Sequence, residues 1–545
     1  MVVNPDKIEP ETFDSGSRAY RKKLWVTLDS KDGEFRHLFW RRICLVVAAV
    51  SAAGWIVLTA GAWAEVRYYR GVSNIRYVDM ALPWRWGQYR ADLGLHDLTL
   101  GRLEMDALHP DLALIYFRAA EALEPGSLEA RRMAARAEFL LGFKADALAR
   151  LRMKVDAAAV AGDQAYLFDY FKVAFDLQAD DEAFATSLQL LPRQPISSRT
   201  HQLIALAMAT ARYNRGYYRE SEQILGDWGL QDLPEGDILL AQCEFEQGLR
   251  SQAISRLDAD LARYTNREPI LVALERLFLD QGRRQAVRQY AFLREIDQPA
   301  NAQARMDLIC ADQAVGRKAD ETAEINGYFA LYRTDAGAMA LLAQFAANTG
   351  DPVTAARARE MARRAGIPLA EFDLCVAQAN LVAQDYRSAL RAVSIAQGEG
   401  GFEGRAGRAV LSGIRVVALL ADGDSGAELA FSRFLANSGE LRPVTGLFLV
   451  RKLKQAGFAR QSRQLLERIC SGQPGDEPAL AELVRSDAIL HNRAGLSEHL
   501  PSLLKMRKPP RDALESSLPW LDPAKDAPLR FQLLGALSDS RALGG

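Results

Sequence analysis

The chain predicts an all-α protein: a solenoid of about eleven or twelve helix pairs, preceded by one apolar helix long enough to cross a bilayer. Three observations carry this reading. Glycines at 216, 248, 282, 316 and 350 recur at intervals of 32, 34, 34 and 34 residues, each between two stretches with helical patterning. Small residues stand at fixed offsets on either side of these glycines. Near the start, 22 consecutive residues carry no charge. A helical hairpin of about 34 residues cannot bury its apolar face alone, so such units stack and leave an inner surface open to ligands.

Composition narrows the function classes. A length of 545 residues would suggest several ordinary domains, yet a solenoid grows by adding units rather than by enlarging one core. The 68 basic and 69 acidic residues nearly cancel to a net charge of −1, which argues against a nucleic-acid binder with a basic face. Ordinary totals of 39 Gly and 21 Pro suggest neither a disordered nor a fibrous chain.

Residues 1–42 read as a polar N-terminal tail, and Ile43 to Ala64 as a transmembrane helix. About 20 apolar residues span a bilayer. Trp40, Trp55 and Trp63, followed by Tyr68 and Tyr69, place most aromatics near the two ends, as an interfacial belt would. A buried core helix is the weaker alternative, because no repeat helix is as continuously apolar. A cleaved signal peptide is also weaker. Ala62 and Ala64 make an A-x-A site before Glu65, but the 42-residue polar lead and the long apolar run do not suit one.

Lys31, Arg36, Arg41 and Arg42 precede the segment, with Arg21, Lys22 and Lys23 further upstream; Arg67, Arg70 and Arg76 follow it. The positive-inside rule then leaves the tail in the cytoplasm and the repeats outside, in the periplasm if the membrane is a bacterial inner membrane. The reverse orientation stays open. Residues 65–90 interleave Arg with Tyr and Trp, a composition suited to lipid headgroups beside a spanning helix.

The repeats occupy residues 91–505. In the first, Gly101, Ala113, Phe117, Ala120 and Pro125 follow one another at gaps of 12, 4, 3 and 5. Small residues at 101 and 113 let two helices approach closely, Phe117 fills the gap to the neighbouring repeat, and Pro125 ends the second helix. The frame continues with Ala135, Gly142 and Ala147.

Nine turns are read at 142, 216, 248, 282, 316, 350, 384, 422 and 457. Seven positions before them, Ala135, Ala209, Ala241, Ala343 and Ala377 are small, whereas Glu275, Ile309, Arg415 and Val450 are not. Five positions after, Ala147, Ser221, Ala253, Ala355, Ala389, Ala427 and Ser462 are small, and Val287 and Glu321 depart. Weaker units are expected around Gln178 and Gly495. Pro234, Glu235 and Asp335 mark helix starts. Past Lys505 five prolines crowd the sequence, so residues 506–545 read as an irregular cap with a short helix around Leu529–Leu537.

This pattern resembles the tetratricopeptide repeat (TPR) family in degenerate form. The resemblance implies a right-handed α-solenoid whose first helices line a concave groove, and a role in binding a protein or peptide partner. Membrane-bound members of that family often serve envelope assembly, secretion or export, so a membrane-anchored scaffold is expected. A component of a polysaccharide synthesis or export system and a cytoplasmic-facing adaptor are the alternatives.

No motif for catalysis is visible. The six histidines, at 37, 96, 109, 201, 491 and 499, are scattered and lack an HExxH, and no GxSxG, GxxxxGK[ST] or helix-opening GxGxxG is present. No enzyme, cofactor or metal is therefore expected. The five cysteines form no CxxC. Cys243, Cys310 and Cys375 lie 67 and 65 residues apart and read as buried fillers of alternate repeats.

One residue beyond the small site of each first helix stand Arg136, Thr210, Gln242, Arg276, Cys310, Gln344 and Gln378, with Asn214 and Asn348 one turn further on. Long donors repeated once per unit suit the backbone or a carboxylate of an extended peptide. The candidate groove residues are therefore Arg136, Asn214, Gln242, Arg276, Gln344, Asn348 and Gln378. An ordinary solvated face has the same composition.

Overall fold

The computed structural model describes residues 25–30, 33–38, 40–107, 109–196, 198–398, 405–438, 441–473 and 475–542. The chain divides into two compact units, Met1–Phe143 and Lys144–Gly545.

In the first unit, the strands Trp25–Ser30 and Gly33–Leu38 pair antiparallel, with Trp25 opposite Leu38 and Ser30 opposite Gly33. This hairpin, inside the polar tail, is the exception to the all-α expectation; Val26, Thr27 and Phe35 are residue types that favour strands. Helix Trp40–Ala64 follows and runs on through one π-helical turn, Glu65–Tyr69. Ile43–Tyr69, 27 residues, is long and apolar enough to cross a membrane by length and composition. Most of its side chains are bare rather than packed in a core, with Leu45 70 % exposed and Val57 72 %, whereas Thr59 and Val66 near its end are buried.

The chain then folds back along this helix. Trp55 Nε1 donates to the Ala81 carbonyl at 2.7 Å, and Trp63 Nε1 to the Ile75 carbonyl at 3.1 Å. Beyond it lie helices Trp86–Asp106, Pro110–Leu123 and Leu128–Leu140. Gly101 faces the Phe117 ring so closely that a Cβ there would overlap it. Phe117 itself is fully buried, in one cluster with Leu98, Ala130 and Ala134. The fit of ring against glycine is therefore made within the hairpin, while the same ring borders the next helix.

From Trp86 the described residues hold twelve consecutive helix pairs. The first, Trp86–Asp106 with Pro110–Leu123, lies in the first unit; Leu128–Leu140 closes that unit and Lys144–Arg152 opens the second, and these two count as the second pair by their order in the chain alone. The third to fifth are Gln164–Asp176 with Asp180–Leu190, Arg199–Asn214 with Tyr218–Asp227, and Pro234–Glu246 with Arg250–Arg263. The sixth and seventh are Glu268–Asp280 with Arg284–Asp297, and Ala302–Val315 with Lys318–Leu331. The eighth and ninth are Ala336–Thr349 with Pro352–Arg364, and Ala370–Val382 with Tyr386–Gly398. Arg405–Asp422 with Ala427–Asn437, Pro443–Gln455 with Ala459–Gly472, and Glu477–Ile489 with Arg493–Leu503 complete the series. Short helices Val155–Ala161 and Arg511–Ser517 and a final helix, Ala527–Ala542, lie outside it.

The turns explain the period. In pairs two to twelve the residue at the turn has positive φ: Gly142, Gln178, Gly216, Gly248, Gly282, Gly316, Gly350, Gln384, Gly423, Gly457 and His491. Reversing between antiparallel helices here needs a left-handed residue, which glycine adopts without a Cβ clash. One expected turn shifts, from 422 to Gly423, and the weaker unit expected around Gly495 turns on His491, with Gly495 inside helix Arg493–Leu503.

The small residues sit where helices touch. Ala209, Ala241, Ala343 and Ala377 are fully buried, as are Ser221, Ala253, Ala355 and Ala389. The buried Ser221 Oγ donates to the Ala209 carbonyl at 2.9 Å, so the two small sites of one hairpin meet directly. Where the pattern departs, Val287 and Glu321 are left half-buried. Each fully buried large apolar side chain adds about 1.5–3 kcal/mol, and residues such as Leu257, Leu274 and Phe278 gather these terms between pairs five and six. The chain is thus an all-α, TPR-like solenoid preceded by one apolar helix.

Candidate interaction surface

In the second unit, helices Ala336–Thr349 and Ala370–Val382, the first helices of pairs eight and nine, pack side by side. Their polar faces meet at Asn348. Its Oδ1 accepts from Gln344 Nε2 at 3.1 Å and from Gln378 Nε2 at 2.9 Å, forming an amide run across two repeats. Gln344 and Asn348 are exposed and Gln378 half-buried. Three of the candidate residues are thereby brought together.

The others are dispersed. Gln242 is half-buried and Arg276 exposed, each on its own first helix. Arg136 is exposed on Leu128–Leu140 in the first unit. Asn214 is half-buried and donates to Asp180 Oδ1 at 2.8 Å. Cys243 and Cys375 are buried, and burial pushes both thiols up to about 12, which keeps them protonated and unreactive. Cys310 is exposed, contrary to the expectation of three buried fillers. A spacing of 67 falls one short of two 34-residue periods, and one residue turns a side chain by about 100° around a helix.

A denser cluster surrounds Asp180, itself fully buried. Arg507 forks onto it, Nε donating to Oδ2 at 2.7 Å and Nη2 to Oδ1 at 2.5 Å. Arg215 Nε lies 3.1 Å from Oδ2. Two guanidiniums and the Asn214 amide thus satisfy one carboxylate, the arrangement a buried charge requires. Arg507 Nη2 also donates to the Phe175 carbonyl at 2.6 Å.

The main chain of the Arg507 segment is held as well. Arg507 N–H donates to Gln178 Oε1 at 3.0 Å, and Arg215 Nη1 donates to the Lys505 carbonyl at 3.2 Å. Gln178 Nε2 in turn donates to Glu477 Oε2 at 2.8 Å. Next along the chain, Lys508 Nζ donates to Glu246 Oε1 at 2.6 Å and lies 5.6 Å from the Tyr213 ring centre. Burial works against the Lys508 ammonium and is the largest single influence on it, but the hydrogen bond and charge of Glu246 together with Tyr218 outweigh it and hold the pKa above its ordinary value. Burial likewise pushes up the neighbouring phenols Tyr213 and Tyr218.

Apart from Asn214, none of these residues is among the sequence candidates. Two signals pointed their way: a glutamine where other repeats turn on glycine, and a Lys-Met-Arg-Lys run just before two prolines. Among the described residues, no group of three or more His, Cys, Asp and Glu side chains is placed to hold a metal ion.

No family model matches the chain, and no curated protein matches it. Among solved structures, it is similar to the structure of Naa15/Naa10 bound to HypK-THB at 11 % identity and a TM-score of 0.28, over 90 % of this chain and 80 % of that one. It is also similar to the crystal structure of the APC/C hetero-tetramer Cut9-Hcn1, at 10 % identity and a TM-score of 0.25, over 81 % of this chain and 95 % of that one. Likeness this slight carries no argument of its own, and the fold class rests on the helix pairs themselves.

Proposed function

We propose that this protein is a membrane-anchored TPR-like scaffold that holds a protein or peptide partner along the first helices of its repeats. The amide run Gln344–Asn348–Gln378 carries the reading: it places hydrogen-bonding side chains, exposed at Gln344 and Asn348 and half-buried at Gln378, on adjacent first helices, where an extended chain can be read along its backbone. The bare apolar helix supports the anchor. Under the positive-inside reading the repeats lie in the periplasm, in service of envelope assembly or export. The test is photo-crosslinking from the exposed positions 279 and 341, on the same first helices as Arg276 and Gln344, in the tagged full-length chain in its native membrane. A partner captured by wild type and lost in Arg276→Ala/Gln344→Ala supports the reading; capture unaffected by those substitutions refutes it. A C-terminal reporter active only outside the cytoplasm decides the orientation, and activity inside would favour the adaptor alternative.

A further inference from the structure

We propose that the pocket formed by Phe175, Gln178, Asp180, Arg215 and Glu246 is a receptor for a short bent peptide carrying adjacent Arg and Lys, and that Lys505–Lys508 occupies it in cis. The inference names a partner chemistry for one end of the scaffold and rests on the scaffold reading above.

Three features distinguish a receptor from a plain packing contact. Both main-chain polarities of the strap are read, its Lys505 carbonyl by Arg215 and its Arg507 N–H by Gln178. Reading main-chain groups alongside side-chain pockets is how peptide sites tell a segment's identity from its mere charge. The charge selectivity is specific: the planar Arg507 fork fits both oxygens of a wholly buried carboxylate, which an ammonium cannot match. Lys508, by contrast, meets Glu246 at the open edge, where its side chain is 51 % exposed, so a competing segment has a way in.

The strap itself is short and non-helical, joining helix Arg493–Leu503 to helix Arg511–Ser517. Its bonds to the pocket run largely through side-chain ends, which can be released singly. Tethering gives it a millimolar-range effective concentration. A free partner must outcompete that, so the strap sets a threshold for binding.

The probe is a fluorescent peptide with the sequence of residues 504–511, LKMRKPPR, titrated into the full-length chain. The variant Arg507→Ala/Lys508→Ala is expected to bind it at least about tenfold tighter than wild type, because the tethered competitor is gone. Adding Asp180→Asn, or replacing the probe's arginine by alanine, should remove that gain. Equal, weak binding to a cooperatively melting double variant would overturn the proposal and make the strap a purely structural latch. Should the double variant not fold, hydrogen exchange on wild type gives the second reading. Excess probe should speed exchange at residues 504–508, and unchanged exchange overturns the proposal too. Either negative result removes this pocket alone, since the crosslinking test concerns different residues.

Discussion

Arg507 and Asp180 stand 327 positions apart in sequence and form a forked ion pair with both carboxylate oxygens engaged. The contact joins the strap after the twelfth helix pair to the third pair, inside the second unit. A carboxylate with no solvent exposure that faces two guanidiniums is costly to neutralise. Asp180→Asn leaves Arg215 and Arg507 short of their counter-ion and should destabilise the second unit by about 3 kcal/mol, measured by denaturant unfolding. A change below about 0.5 kcal/mol would show that solvent already screens the pair.

Gln384 holds a left-handed backbone, φ 63°, where eight other repeats use glycine, and its side chain is exposed. The left-handed conformation costs a non-glycine residue about 1–2 kcal/mol. Gln384→Gly should therefore stabilise the protein by about 0.5–1 kcal/mol once the added chain entropy is subtracted. The same change at Gln178 should not stabilise it, because that side chain bonds Arg507 and Glu477.

Glu275 supplies a pH dependence. Burial pushes its carboxyl up to about 7; Arg294 opposes the shift, and Asp307 and Glu268 add to it. A raised carboxylate binds its proton more tightly folded than unfolded, so stability falls as pH rises from about 5 to about 7. Discounted for the solvent reaching its edge, the loss should be about 1–2 kcal/mol. Glu275→Gln should flatten this slope in melts across that range. An unchanged slope would assign it to another group.

Near the end of the array His499 and Asp487 form a hydrogen-bonded pair whose titrations are pushed apart. The hydrogen bond to Asp487 raises His499, while burial of Asp487 is outweighed by bonds from His499, Arg463 and Asn492 that hold it low. The raised histidine contributes below its unfolded pKa of about 6.5 and loses that contribution as pH climbs through the folded value. The lowered aspartate contributes above about 4 and loses it in acid. His499→Gln should therefore cost most between about pH 4 and 6.5 and little near pH 9, as melts at several pH values would reveal.

Gly101 tests the packing of the first hairpin. Gly101→Val drives a branched side chain into the Phe117 ring and should cost about 2–3 kcal/mol. Pairing it with Phe117→Leu should recover part of the loss; no recovery would place the clash elsewhere.

Much of the fold was legible because each repeat obeys a local rule. A left-handed turn favours glycine and two helices in contact favour alanine or serine, and the 34-residue period carries the frame across a turn such as Gln384 that lacks it. Those rules located the turns at 142, 216, 248, 282, 316, 350, 384 and 457. They slipped by one residue at Gly423, where Asp422 closes the helix, and left the turn at His491 unread, where no glycine marks the reversal. The strand hairpin escaped because it lies outside the helical period. The Asp180 cluster was illegible for a different reason: its members are local in space but separated by some 300 positions, and no periodic signal links a terminal strap to the third repeat. Gln344, Asn348 and Gln378 were named because they recur with the repeat period; that their amides bond one another follows from the packing of two neighbouring first helices.

The fold-back after Tyr69 limits how much of the apolar helix lipid can touch. Side chains from Cys44 to Leu58 are open, whereas Thr59 is enclosed by the returning segment and Trp55 and Trp63 are hydrogen-bonded to it. Those fifteen open positions amount to about 22 Å of helix, against roughly 30 Å of hydrocarbon in an average bilayer. Were this helix to span a bilayer as proposed, the membrane would have to thin around it or admit Tyr77–Trp86 below its headgroups.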